Sequence, residues 1–518
     1  MSHRILSLFA ILIFISSCED QYVYTPPAGV KTPTDIFGDM YREMLIMDTM
    51  GVSKQVANGF PQSDIRDIKL AFRKQKNDEG FDINTFINEH WELASTRNTG
   101  YIASQDSDIG EISSEIWSAL LYDSSNQPEF SSLIELPHPY IPISGQHTEM
   151  RYMDSYFIMV GLAADGRWDL VESMIDNCAF MIDQIGHIPE TNRTYMTSRS
   201  NQPFFSHMVE LLADYKGDEV YTKYLPQLEK EHQYWHKDEV DLEQHNGIGH
   251  TLKVGDKILN RYSDPNSEPR DEDYLSDRRG GSNLYRVKRA NSESGWKMSS
   301  RWLGDNKRMW TMYTRHVAAI DLNMLLQHLE KTILKAYIIA GESDEKNLQK
   351  RIDVCQLAID SLYWDDKKKI FEDVNYKNQA RTGQATLAMM YPLFTKACNQ
   401  EQADGVAAYI EGTLLKEGGL MDTDDFSDHE WDAPNAHAPL QYIAVMGLEN
   451  YGHRELAKKI ATRFTQTVEN TFAVTGRITE MYNLSESEPE KMAGKYEGKD
   501  AYSWTLGVYL GLKKYLRK

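Results

Sequence analysis

Four clusters of sequence bunch carboxylates, amides and guanidinium groups against aromatic rings. TEMRYMDSYF sets Glu149 and Asp154 among aromatic side chains, and HIPETNRTYMTSRSNQPFF crowds Asn192, Arg193, Arg199, Asn201 and Gln202 into one polar loop. EPRDEDY and NSESGWKMSSRW bring Arg270, Glu272, Glu293, Trp296 and Lys297. EWDAPNAHAPLQY carries Trp431, Asp432 and His437, with Glu480 following in RITEMYN. Flat indole and phenol faces stack on the C–H surfaces of a sugar ring, while Asp, Asn and Arg direct hydrogen bonds at its hydroxyls. Taken singly, each group has a plainer use: Asp154 as the cap of a helix beginning near Ser155, Trp431 as core, Glu480 as a solvated surface acid. Together they describe a pocket for a small saccharide.

Such groups need a scaffold that delivers several loops to one place, and the remaining sequence supplies helices. In EKNLQKRIDVCQLAIDSLYW the apolar residues Leu348, Ile352, Cys355, Ile359 and Leu362 fall at steps of four and three. AAIDLNMLLQHLEKTILKAYIIAG precedes it and stops at Gly341, so the two predict an antiparallel hairpin. The style recurs in ATLAMMYPLF with ADGVAAYIEGTLL, and in PLQYIAVMGLENYG with ELAKKIATRFTQTVENTF, where Leu456, Ile460, Phe464 and Val468 keep a spacing of four. Successive hairpins joined by polar loops predict an all-α fold, an α/α toroid with a central pocket. A solenoid of interaction repeats is the weaker expectation, because no regular sequence period accompanies the pattern. Residues 239–281 lack helical period and read as an irregular excursion over one face.

A chain of 518 residues, 41% hydrophobic, furnishes a substantial core, and its formal charge of -21 argues against a nucleic-acid partner. HRILSLFAILIFISSC has a basic start and an apolar run too short for a permanent span, and its small residues before Cys18 resemble a lipobox. The expectation is a signal peptide over 1–17, a tether over 18–33 and one domain over 34–518. Cys18 would then be lipidated, giving an exported bacterial lipoprotein at the periplasmic face or cell surface of the outer membrane. Cys178, Cys355 and Cys398 form no CxxC pair, so neither a metal site nor a cofactor is implied. Cys355 reads as a small buried hydrophobe.

In chain order, PTDIFGDMYREM, FDINTFINEHW, LPHPYIPISGQHTEMRYMDSYFIMVGLA, GHIPETNRTYMTSRS, LNRYSDPNSEPRDE, RANSESGW with SSRW, WDAPN with APLQ, and YSWTLGV resemble the motifs of glycoside hydrolase family 37, the inverting trehalases of α/α-barrel type. The resemblance implies an (α/α)6 toroid, substrate contacts at Asp154, Asn192, Arg199, Arg270, Glu272, Trp431 and Asp432, and a general base at Glu480. Gln146, Asn201, Glu293, Trp296, His437 and Lys495 complete the expected site. In that family an Asp directly after Ser-Gly-Trp protonates the departing sugar; here that position is Lys297. Inversion needs a protonated acid and an ionised base about 6.5 to 9.5 Å apart. An ordinary lysine, with a pKa of about 10.4, suits the acid's task poorly.

Other departures from the family pattern fall in the same site: Gln146 for an Arg, Met153 for a Trp, Asn201 for a Gln, His437 for a Trp and Lys495 for a Glu. The leading expectation is a monomer that hydrolyses trehalose or a related α-glucoside, its proton coming from Asp154, Asp432, Glu293 or His437. The alternatives are a carbohydrate-binding protein without turnover, and a hydrolase for an anionic disaccharide that Lys297 and Lys495 neutralise. The plain reading of Lys297 is a salt bridge to Glu293 or Glu480.

Overall fold

The computed structural model describes residues 24–47, 51–93, 107–242, 246–344, 346–488, 491 and 501–518. Cys18 and Lys495 lie outside the described residues. The barrel helices are α1 (Ile109–Leu120), α2 (Tyr152–Ala164), α3 (Trp168–Ile185), α4 (Phe205–Lys216), α5 (Leu225–His236) and α6 (Ile320–Ala340). They continue with α7 (Leu348–Ala358), α8 (Tyr391–Phe394), α9 (Gln400–Tyr409), α10 (Ala438–Asn450), α11 (Arg454–Thr475) and α12 (Ser503–Leu516). The even-numbered helices pack side by side in order, and α12 returns to α2 to close the ring. This is the toroid that the hairpin pattern predicts.

Inner and outer helices differ in their sequence. On α2 every residue from Tyr152 to Ala163 is buried, as expected of a helix enclosed on all sides. On α11 burial follows one stripe through Ala457, Ile460, Phe464, Val468 and Phe472, leaving the opposite face to solvent. The predicted stop of α6 is observed: Gly341 takes φ +73° as its C-cap, a left-handed conformation that glycine adopts without a Cβ penalty. Closure of the ring rests on another glycine, since a Cβ on Gly507 of α12 would lie 2.2 Å from the Phe157 carbonyl oxygen of α2. Backbone meets backbone there, and no side chain fits between.

Residues 239–281 are more ordered than their lack of helical period suggests. Gly247–Ile248, Thr251–Val254 and Lys257–Asn260 form an antiparallel ribbon in which Leu252 pairs with Leu259. Each strand is too short for its alternation to stand out in the sequence. The N-terminal helices, from Pro33–Phe37 to Ile83–His90, build a second apolar cluster that closes over Tyr195 and Met196. Tyr24, in the segment read as a tether, donates to the Thr197 carbonyl at 2.6 Å, so contact with the folded body begins ahead of residue 34.

Candidate active site

The inner helices all begin on one side of the ring. Arg151 is the N-cap of α2, Gln202 lies just ahead of α4, Asp321 is in the first turn of α6, His437 caps α10 and Tyr502 caps α12. Helix N-termini carry partial positive charge, so their convergence suits carboxylates and electron-rich oxygens. Asp154 sits in the first turn of α2, fully buried, and neither of its carboxylate oxygens has a hydrogen-bond partner. It is therefore not the helix cap that its position before Ser155 suggests. Burial pushes its pKa up; Arg151 opposes the rise and Glu480 adds to it, leaving a value of about 7.

Lys297 answers to neither Glu293 nor Glu480. Its ammonium pairs with Glu190 at 3.1 Å. Glu190 also accepts from Arg199 Nε at 2.5 Å and from Arg151 at 3.0 Å, while Arg199 reaches Glu272 at 2.6 Å. Burial alone would raise the Glu190 carboxyl, but Arg199, Lys297 and Arg151 together hold it well below the usual carboxylate range. Burial lowers the Lys297 ammonium, with Glu190 pulling it up and Arg151 pushing it down. Because the lysine is already paired with a buried carboxylate of the protein, its presence alone gives little support to the reading that Lys297 reads an anionic sugar.

Glu480 is half-buried on the segment following α11; it accepts from Tyr502 Oη at 2.7 Å, and its backbone oxygen accepts from Trp504 Nε1 at 3.0 Å. An aromatic wall stands nearby: Trp431 stacks on His437 with centroids 3.6 Å apart and planes 1° from parallel, and on Trp296 at 5.3 Å. His437 Nδ1 lies 2.6 Å from an Asp422 oxygen. Burial would lower the imidazole pKa, but Asp422 reverses this and the net shift is upward.

Several expected contacts are engaged by the scaffold instead. Asn192 Oδ1 accepts from the Met150 N–H at 2.8 Å, and its Nδ2 donates to the Ile134 carbonyl and to Tyr140. Asp432 accepts from Ser299, the Ser300 N–H, Ser427 and Thr423, which ties the Trp431 loop to the Lys297 segment. Glu293 accepts from the backbone N–H groups of Ser200 and Ser263 and from Tyr234, with His250 Nε2 at 3.1 Å. Arg270 forks onto Asp277 at 2.8 and 3.0 Å and donates to Ser292. Trp296 is fully buried, with Arg301 over its face at 4.7 Å. Gln146 borders a side cavity of about 340 Å³ shared with Thr148, Glu149 and Arg193. Asp432 and Glu293 are thus poor replacement acids, since their oxygens are occupied.

What remains uncommitted is informative. Asp154 Oδ1 and Oδ2, Asn201 Oδ1, Glu272 Oε2 and His437 Nε2 are buried without a hydrogen-bond partner, while Arg199 Nη1 faces Asp264 at 3.9 Å. Buried polar atoms are nearly always paired, so this clustered spare capacity fits a ligand rich in hydroxyl groups. Arg151, Glu190, Glu430 and Tyr502 also belong to this neighbourhood, and no residue type or spacing in the sequence singles them out. All four lie inside or beside the quoted motifs; what the sequence conceals is their pairing with residues far along the chain.

The raised Asp154 pKa has a testable sign. A carboxyl group whose pKa rises on folding costs no stability below its ordinary value of about 4, and its cost grows until the pH passes the folded value. Asp154→Asn removes that cost. The variant's Tm, measured relative to wild type, is expected to rise between about pH 4.5 and about pH 8 in parallel thermal melts.

The family model described as Trehalase matches residues 39–516. The chain belongs to the trehalase family. It is 35% identical over 519 residues to the periplasmic trehalase of Xanthomonas oryzae pv. oryzae, covering 97% of this chain and 91% of that one. To the periplasmic trehalase of Citrobacter koseri it is 34% identical over 495 residues, covering 93% and 87%. Among solved structures, the neutral trehalase of Saccharomyces cerevisiae superposes with a TM-score of 0.59 at 22% identity over 73% of each chain. The GH63 mannosylglycerate hydrolase of Thermus thermophilus superposes at 0.55 with 14% identity, over 78% of this chain and 100% of that one. At those identities the superpositions speak for the toroid fold, which this member of the trehalase family shares with them.

Proposed function

We propose that this member of the trehalase family is an inverting glycoside hydrolase that cleaves trehalose or a closely related α-glucoside, with Glu480 as general base. The observation that carries this reading is the set of buried polar atoms without a hydrogen-bond partner on Asp154, Asn201, Glu272 and His437. A disaccharide supplies the hydroxyls such a set lacks, while Trp431, stacked between His437 and Trp296, stiffens the wall beside it. Glu480 accepts the Tyr502 hydrogen bond at 2.7 Å, which orients its carboxylate for the base's task of activating water.

The names of the relatives support export to the periplasm. The lipobox-like residues before Cys18 support a lipid anchor on the outer membrane, and the chain is proposed to act there as a monomer. The deciding experiment is glucose release from trehalose by the purified protein, with calorimetric titration of trehalose in parallel. Glucose release supports the reading. Binding without release would replace it with a carbohydrate-binding role, and neither binding nor release would remove trehalose as the ligand.

A further inference from the structure

We propose that Glu430 is the proton donor of this reaction, standing in for the acid that position 297 lacks; the inference rests on the hydrolase reading above. The backbone provides the first argument. The Trp431 N–H donates to the Met298 carbonyl at 2.8 Å, which lays Glu430 alongside the Lys297–Met298 segment where the family pattern has its acid. The Glu430 carbonyl accepts from Asn435 Nδ2 at 2.9 Å, and the adjacent Trp431 ring is held between His437 and Trp296. Its backbone is thus fixed by neighbours on both sides.

The side chain is half-buried, and among the described residues no hydrogen bond or ion pair holds its carboxyl group. It is therefore left for a ligand or solvent, unlike Asp432 and Glu293. The charged groups facing it come from four separate segments: Glu480 after α11, His437 at the start of α10, Lys297 after the Ser282–Glu293 helix and Arg151 at the start of α2. Burial raises its pKa and the Glu480 charge adds to the rise, with His437, Lys297 and Arg151 drawing it partly back. Of the two carboxyl groups, Glu480 is oriented by the Tyr502 hydrogen bond and takes the role of base, while the uncommitted Glu430 takes that of proton carrier.

The competing donors are placed less well. His437 lies flat against Trp431 with Nδ1 engaged by Asp422. Asp154 is fully enclosed in the first turn of α2, where its free oxygens suit sugar hydroxyls, whereas half-exposed Glu430 can regain a proton from solvent between turnovers.

In the proposed step the Glu430 proton passes to the interglycosidic oxygen as the bond from that oxygen to the anomeric carbon breaks, its electron pair leaving with the departing glucose. Water forms the new bond to the anomeric carbon from the opposite face and gives its proton to Glu480. Lys297 and His437 stabilise the carboxylate left on Glu430. Proton exchange with solvent restores both acids.

The test compares trehalose with α-D-glucosyl fluoride, whose leaving group departs without a proton, using wild type, Glu430→Gln and Asp154→Asn. Glu430→Gln is expected to lower trehalose turnover by about a hundredfold or more, to spare the fluoride within a few-fold, and to remove the alkaline limb of the pH profile. Near-normal trehalose cleavage by Glu430→Gln, equal loss of both substrates, or the trehalose-selective loss appearing in Asp154→Asn would overturn the proposal. Wild type that cleaves only the fluoride would overturn it as well, leaving Glu480 as base. Wild type that cleaves neither removes the hydrolase reading itself.

Discussion

Glu480→Gln is expected to lower the turnover number for trehalose by about 10² to 10⁴, the usual contribution of a positioned general base, while leaving KM and Tm close to wild type. The expectation follows from how Glu480 is held. The carboxylate is half-buried and accepts one hydrogen bond, from Tyr502, which the carbonyl oxygen of a glutamine also accepts. The substitution therefore removes the base with little disturbance of packing, and the loss falls on the chemical step. Unlike Glu430→Gln, it should suppress α-D-glucosyl fluoride cleavage too, because water must still be deprotonated when the leaving group needs no acid. Steady-state glucose and fluoride assays check this. Turnover unaffected by the substitution would show that Glu480 is not the base.

That contrast between two carboxylates marks where sequence and structure part company. Helical stripes are local: Ile460, Phe464 and Val468 reveal the buried face of α11 because side chains four apart share a face. The stop at Gly341 is local too, and so is the enclosure of α2, whose near-continuous apolar run needs neighbours on every side. Family motifs likewise bring Asp154, Arg199, Trp431, His437 and Glu480 to attention. Motif membership does not say which polar groups face ligand and which hold loops. Asn192, Asp432 and Glu293 are the same residue types as the groups left without a hydrogen-bond partner, yet their hydrogen bonds run to Met150, Ser299 and Ser200, partners far away in the sequence. Glu190 shows the converse, a residue with no evident role in its own motif that gathers cations from three segments.

Glu190→Gln is expected to cost about 3 to 5 kcal/mol of stability near neutral pH, the scale on which breaking a buried charge network is felt. Glu190 is fully buried, and its carboxylate is the common partner of Arg151, Arg199 and Lys297. An amide keeps the geometry but removes the anion the three cations share; Arg199 keeps Glu272 and Asp264, and Arg151 keeps the field of Asp154. Since folding depresses the Glu190 pKa, the wild-type advantage is full above the ordinary glutamate value of about 4.3 and is lost as the pH falls through the folded value. Denaturant unfolding of both proteins across that range checks the sign. Adding Lys297→Met to Glu190→Gln should restore part of the lost stability, with a coupling energy of about 0.5 to 3 kcal/mol, because it removes one of the stranded charges. A coupling near zero would mean that the 3.1 Å pair does not account for the lysine, returning Lys297 to the role of a ligand-reading cation. Recovery would instead make the lysine the counter-ion of Glu190, with the proton for glycosidic cleavage supplied by another side chain.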